Sequence, residues 1–268
     1  MPPLNLSPAS TREIVHLLIL QELAELRRGG GVTVKGGVSL RLFFGSPRYS
    51  EDMDLDGTEE GSSEIRNSIE RLFDDREFTR RLQAVGIRGL DPGEGANKDT
   101  DTTFRYKFGV IGGGGVRYPT KVEVSFRGRH ADDDVVVERP AQQILDGYGL
   151  QAFQVRHYAL DAAVRQKIQA LGGRREAQAR DVFDLGVLVP DGAPATLLDF
   201  LAKTLPRDRL EEAYGRALAI SYDEYRGQVI EFLGESDRLS KGTESAWDEM
   251  RLRAAALIES VLVLKGHE

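Results

Sequence analysis

Between Ser50 and Asp56 the chain reads Ser-Glu-Asp-Met-Asp-Leu-Asp, and this alternation of acid with apolar residue has the period of a strand. Asp52, Asp54 and Asp56 project from one face while Met53 and Leu55 take the other, so the strand lies between a core and a polar surface. Three like charges on one face repel, and something positive is needed beside them. Upstream, Val32-Thr33-Val34 reads as a short strand, Gly36-Gly37 as a turn and Val38 to Phe44 as a short helix ending at Gly45. Pro47 fixes the loop into the acidic strand. The unit is strand, glycine turn, helix, strand.

The flanking sequence supplies further elements. Ser10 with Glu13 forms a capping box, and Ile14, Leu17 and Leu18 continue at helical spacing until Gly29-Gly30-Gly31. Residues 62–86 read as one or two amphipathic helices, and the Gly- and Asp-rich residues 89–101 read as a loop. Residues 103–110 and 120–126 alternate as strands joined by a glycine-rich hairpin tip. In the second of these, Val122, Val124 and Phe126 share one face, so Glu123 points the other way with Lys121 and Ser125 and can join the acidic surface. From about residue 150 onward only helical patterns follow. The division is an α/β part over 1–150 and a helical part over 151–268, an α+β chain.

Composition narrows the chemistry. The 268 residues contain no cysteine, which rules out disulfides and thiolate metal sites, and the four histidines (His16, His130, His157, His267) show no HxxH or HExxH spacing. A bound metal must therefore be hard and oxygen-liganded. The formal charge of -7 opposes binding to nucleic acid through a uniformly basic surface, yet Arg165 to Arg180 carries five basic residues against Glu176 alone. Arg174 and Arg175 in that run are candidates for RNA contact. No apolar run reaches the roughly 20 residues that span a bilayer, and the first residues lack the features of a secretion signal. The expected location is the cytoplasm, without a membrane.

Asp52 and Asp54 on one strand, Glu123 on a neighbour and a Gly-Gly-x-Ser turn entering a helix suit one reaction. Carboxylates supply ligands for Mg2+, with Mn2+ as the alternative, and Mg2+ is commonly held by one or two carboxylates plus substrate phosphates. Gly36 and Gly37 allow close backbone approach to a phosphate chain, the amides at the helix start favour anions, and Ser39 adds a hydroxyl. Two metals so held would activate an attacking oxygen and stabilise a departing pyrophosphate. That is nucleotidyl transfer from an NTP.

The segments KGGVSLRLFF, PRYSEDMDLD and ARDVFDL, in this order over residues 30–190, resemble the AbiEii/AbiGii type toxin family, MenT-like nucleotidyltransferases of the DNA polymerase β superfamily. The resemblance implies a polymerase β-like mixed sheet with flanking helices, followed by a helical C-terminal part that contributes basic and acidic residues to the site. It places the metal pair on Asp52 and Asp54, the third acid on Glu123, the triphosphate cation on Lys167, and the late signature on Arg180, Asp181, Asp184 and Leu185. It also implies a toxin with a cognate antitoxin, adding a pyrimidine nucleotide from CTP or UTP to the 3′ end of tRNA. One departure is Val38 where many relatives carry Thr, leaving Ser39 as the hydroxyl of the turn. A protein or small-molecule acceptor and a non-catalytic nucleotide-binding module are the alternatives. Lys167 has Ala163 at its i−4 position, which removes the usual helical partner, and Asp184 is spaced to pair with Arg180 or to orient Lys167.

Overall fold

The computed structural model describes residues 6–26, 31–93, 98–127, 134–190 and 192–266; Gly29, Gly30, His130 and His267 lie outside them. Two compact units are present, one formed by Met1–Phe43 with Tyr49–Tyr158 and the other by Phe44–Arg48 with Ala159–Glu268.

In the first unit, α1 (Pro8–Ala24) opens one turn earlier than the expected capping box. Ser7 is the N-cap, its hydroxyl accepts from the Ser10 amide, and Pro8 follows where a missing N–H costs nothing. Glu13 is thereby released from capping and instead accepts from Arg41 Nε at 2.7 Å and from the Tyr148 hydroxyl at 2.6 Å. Ile14, Val15, Leu17, Leu18, Ile19 and Leu20 are all buried, so α1 is apolar on nearly every side and is encased rather than surface-lying.

After α1 come β1 (Thr33–Lys35), α2 (Gly36–Phe43) and β2 (Met53–Asp56), the expected strand, turn, helix and strand. Next follow α3 (Ser62–Arg71), α4 (Arg76–Ala84), β3 (Ile87–Asp91), β4 (Lys98–Thr100), β5 (Thr103–Gly112), β6 (Arg117–Ser125), β7 (Val135–Glu138), α5 (Gln142–Tyr148) and β8 (Val155–Tyr158). The strands form one mixed sheet in the order β3-β5-β6-β2-β1-β8-β7, with β4 beside β5. The segment expected as a loop thus supplies β3 and β4. Backbone pairing to β5 makes them strands although Gly, Asp and Lys disfavour the state. β8 similarly interrupts the region expected to be wholly helical: it pairs parallel with β1 and antiparallel with β7, and four residues are too few to show a period.

One sheet face is the core. Met53 and Leu55 of β2, Val122 and Val124 of β6, and Phe104 and Phe108 of β5 are buried there. Full burial of such a side chain contributes roughly 1.5–3 kcal/mol. The opposite face carries the charged alternates.

The second unit contains α6 (Leu160–Gly173), α7 (Ala179–Leu188), α8 (Ala195–Thr204), α9 (Arg207–Ala219), α10 (Tyr222–Gln228), α11 (Glu235–Lys241) and α12 (Glu244–Lys265). Its core includes Trp247 stacked on Tyr225, ring centroids 4.4 Å apart, with the indole N–H donating to the Ile220 carbonyl at 3.2 Å. Among the described residues no helix is long and apolar enough to cross a membrane.

Candidate active site

The acidic face is built by register. β2 and β6 run parallel with Asp54 opposite Glu123, and β1 lies antiparallel on the other side of β2 with Lys35 opposite Asp54. Glu123 therefore faces the same surface as Asp54, flanked by its cross-strand partner Arg105 of β5. Gly36 adopts φ 66°, and a Cβ placed on it would stand 2.9 Å from Asp54 Oδ2. Only glycine serves at this turn, because the carboxylate occupies the side-chain space and the backbone is left-handed. The turn and the acid are thus close neighbours.

Charge on this face is balanced unevenly. Lys121 Nζ lies 3.0 Å from Asp52 Oδ2, and Arg105 Nε donates to Glu123 Oε2 at 2.6 Å. Lys35 donates to Asp56 Oδ1 at 2.6 Å, while the Tyr158 hydroxyl donates to Asp56 Oδ2 at 2.7 Å. Asp56 is therefore occupied in holding strands together and stays outside the candidate ligand set. Asp54 accepts no hydrogen bond or ion pair among the described residues, though Lys35 acts on it through space. Burial, reinforced by Glu123 and Asp52, pushes its carboxyl above the usual range against the opposing pull of Lys35 and Lys121. For Glu123, burial also works upward, but Arg105 together with Lys121 and Lys35 outweighs it and holds the group low.

Among the described residues no three His, Asp or Glu side chains stand together as a ready metal cage. The donor set nevertheless suits a hard divalent cation. It consists of carboxylates only, and the central one is half-buried and unpaired within the described residues, while its neighbours are held by a lysine and an arginine that a cation could replace. Ser39 is 3 % exposed within α2, and Val38 is also buried, so α2 turns both side chains away from solvent.

In the second unit, Asp181 and Asp184 of α7 are fully buried. Lys167 of α6 lies 2.6 Å from Asp184 Oδ2 and 3.1 Å from Asp181 Oδ1. Arg48 Nη2 reaches Asp184 Oδ2 at 3.1 Å, and Arg174 Nε lies 3.0 Å from Asp181 Oδ2 without hydrogen-bond alignment. Lys167 thus has two acidic partners from the next helix, which i−4 spacing on its own helix could not reveal. Asp184 pairs with Lys167 and Arg48. Burial would raise its carboxyl, but these two cations outweigh it and keep it below the usual range. Arg175 is exposed and Arg180 half-buried.

The family described as nucleotidyl transferase AbiEii toxin, type IV toxin-antitoxin system, matches residues 18–256. The chain belongs to this family. As an AbiEii protein it is a nucleotidyltransferase toxin of a type IV system, which implies an NTP substrate and an antitoxin. JHP933 from Helicobacter pylori shares the fold, with TM-score 0.52 and 18% identity over 98% of this chain and 95% of that one. MenT4, a nucleotidyltransferase toxin from Mycobacterium tuberculosis, gives TM-score 0.57 and 17% identity over 96% and 93% of the two chains. No curated protein sequence matches the chain. The mixed α+β architecture is that of the nucleotidyltransferase toxins.

Sequence patterns did not single out the contacts that position Asp52 in this AbiEii protein. Thr120 of β6 donates to the Glu51 carbonyl at 2.5 Å, so its oxygen accepts from His16 Nε2 at 2.9 Å, which fixes the proton on that nitrogen. Burial, then Arg12, pushes His16 down to about 3, and the ring is neutral. Arg12 also donates to the Pro119 carbonyl at 2.9 Å and lies 3.4 Å from Glu51. α1 thereby ties the residue before Asp52 to β6. A lone histidine carries no such signal in sequence.

Proposed function

We propose that the acid face of β2 and β6 is the catalytic centre, with Asp52, Asp54 and Glu123 holding Mg2+ or Mn2+ and the amides at Gly36 and Gly37 receiving the NTP triphosphate. The observation that carries this reading is the register of Asp54 with Glu123 together with the way Asp54 Oδ2 fills the side-chain space of Gly36. Bound divalent ions would supply charge stabilisation for in-line displacement of pyrophosphate. The chain's own part is to hold the three carboxylates on a rigid sheet and to keep the turn open to phosphate through two glycines. Ser39, expected to add a hydroxyl at that turn, is 3 % exposed and turned away from solvent, so the phosphate contacts of the turn fall to its backbone amides.

The acceptor in this reading is the 3′ end of tRNA and the nucleotide a pyrimidine, from CTP or UTP. MenT4, named a nucleotidyltransferase toxin, shares the fold and supports nucleotidyl transfer as the chemistry, while the RNA acceptor rests on the family resemblance. In the helical part, Lys167 is the cation assigned to the triphosphate and Asp184 its positioning residue, supported by their 2.6 Å pair. Arg174 and Arg175 are assigned to RNA contact, Arg180 stays with the late signature, and Asp181 is assigned to orienting Lys167 and Arg174. This extends the expected division at 1–150 and 151–268 into a division of labour.

The test is incubation of the protein with each labelled NTP and total tRNA, followed by sequencing of tRNA 3′ ends. Label on RNA from wild type and none from Asp52→Ala is the expected result. Absence of labelled RNA with every NTP overturns the RNA acceptor, and label in a protein or small-molecule fraction assigns that class instead.

A further inference from the structure

Alternation along the β5–β6 hairpin places a row of cations on the same sheet face as Glu123. On β5 the residues turned from the core are Arg105, Lys107, Gly109 and Ile111; on β6 they are Arg117, Pro119, Lys121 and Glu123. Arg117 and Glu123 are six residues apart on one strand, a run of about 20 Å. Arg117 lies flat along this surface, because a Cβ at Gly109 would collide with its guanidinium, and Asp91 receives it at 2.6 Å. Here the missing side chain makes room for a guanidinium. A cleft of about 730 Å3 follows the row from Arg117 to Lys121, with the acids Glu51, Asp52 and Asp91 and the cations Lys107, Arg117 and Lys121 in its wall.

With all pairs intact the cleft is close to neutral: Lys121 is held by Asp52, Arg105 by Glu123 and Arg117 by Asp91. Two of these three acids are the candidate metal ligands. We infer that the β5–β6 hairpin face is the track for the single-stranded 3′ end of the RNA acceptor, and that it becomes attractive to polyanions only when divalent cations occupy Asp52 and Glu123. With their carboxylates engaged, Lys121 and Arg105 lose their partners and turn to acceptor phosphates alongside Lys107 and Arg117. The inference rests on the nucleotidyl-transfer reading above and adds where the acceptor lies and why it binds after the metal. Charged side chains of both signs dominate the cleft wall, so the contact its cations make is to phosphate and tolerant of sequence.

The experiment is fluorescence anisotropy of a short labelled single-stranded RNA, in EDTA and in Ca2+, across a salt series. Wild type should bind more tightly in Ca2+. The double variant Lys107→Gln, Arg117→Gln should bind more weakly than wild type in Ca2+ and lower the salt slope by about 1.4, roughly 0.7 for each single-strand phosphate contact removed. Asp52→Asn should bind RNA in EDTA about as wild type does in Ca2+, whereas Glu244→Gln, the same charge change on α12, should not. Equal binding by wild type and the double variant overturns the track, as does an Asp52→Asn that behaves like Glu244→Gln. If wild type extends tRNA and the double variant extends it equally well, the track fails while RNA transfer stands. If no variant binds RNA and label goes to another acceptor, both fail.

Discussion

Asp54 and Glu123 stand side by side on parallel strands, yet within the described residues only Glu123 has an ion-pair partner, Arg105 at 2.6 Å. The strand that carries Asp54 is the one whose neighbour across β1, Lys35, is drawn away to Asp56. An unpaired, half-buried acid is a cost to the folded chain and a ready ligand for a cation.

Asp54→Asn is expected to abolish transfer, with a loss beyond the ~10–100-fold typical of an outer-shell change, and to stabilise the metal-free protein at neutral pH. The carboxyl of Asp54 lies above its unfolded value, so the folded state binds the extra proton; stability contributed there is present at low pH and falls as pH rises through the folded value. Thermal unfolding in EDTA should show wild type losing stability relative to Asp54→Asn on going from acid to neutral pH. Mn2+ should restore it in wild type only.

Gly36→Ala combines a left-handed backbone at φ 66° with a Cβ 2.9 Å from Asp54 Oδ2. The backbone term costs about 1–2 kcal/mol, and displacement of the carboxylate weakens the cation site as well. Calorimetric titration with Mn2+ should show reduced affinity in a variant that still unfolds cooperatively. Unchanged affinity would separate the turn from the ligand set.

Arg48→Met strips one cation from fully buried Asp184 and is expected to destabilise the protein by roughly 3–5 kcal/mol. Because Asp184 lies below its unfolded value, its contribution is present above that value and is lost as pH falls through the folded one. Chemical denaturation should therefore separate the variant from wild type at pH 7 and bring the two together only as pH falls below the unfolded value of 3.8. Lys167→Arg, compared with Lys167→Met, separates charge from geometry: recovery of stability without recovery of kcat assigns Lys167 to the triphosphate.

His16, neutral with its value near 3, should make wild type acid-sensitive. Stability from this group is complete above the unfolded value of 6.5 and declines as pH drops below it, with a slope approaching ~1.4 kcal/mol per pH unit. His16→Gln, which keeps a donor for Thr120, should flatten that part of the profile. An unaltered profile would assign the acid sensitivity elsewhere.

The legible parts of the fold were those with period and punctuation. Met53 and Leu55 against Asp54, and Val122 and Val124 against Glu123, announced two strands and their buried faces, and the register places these residues as the alternation requires. β3, β4 and β8 were hidden because neighbours, not side-chain pattern, make them strands; Gly89, Asp99 and Arg156 would suit loops equally well. The same holds for the charges. Lys167 sits against Asp181 and Asp184, fourteen and seventeen residues away in the chain, through the docking of α6 on α7, which no spacing along one helix encodes.

The encased helix α1 has a bearing on synthesis. Its apolar surround is built by α3, β5 and β6 and completed by β8, which ends at Tyr158, so the last of its partners is synthesised more than a hundred residues after α1. Such distant closure is slow and leaves greasy surface uncovered in the nascent chain. The sheet can therefore close around its first helix only after β8 has been made, and the strand bearing Asp54 sits in its full frame only then.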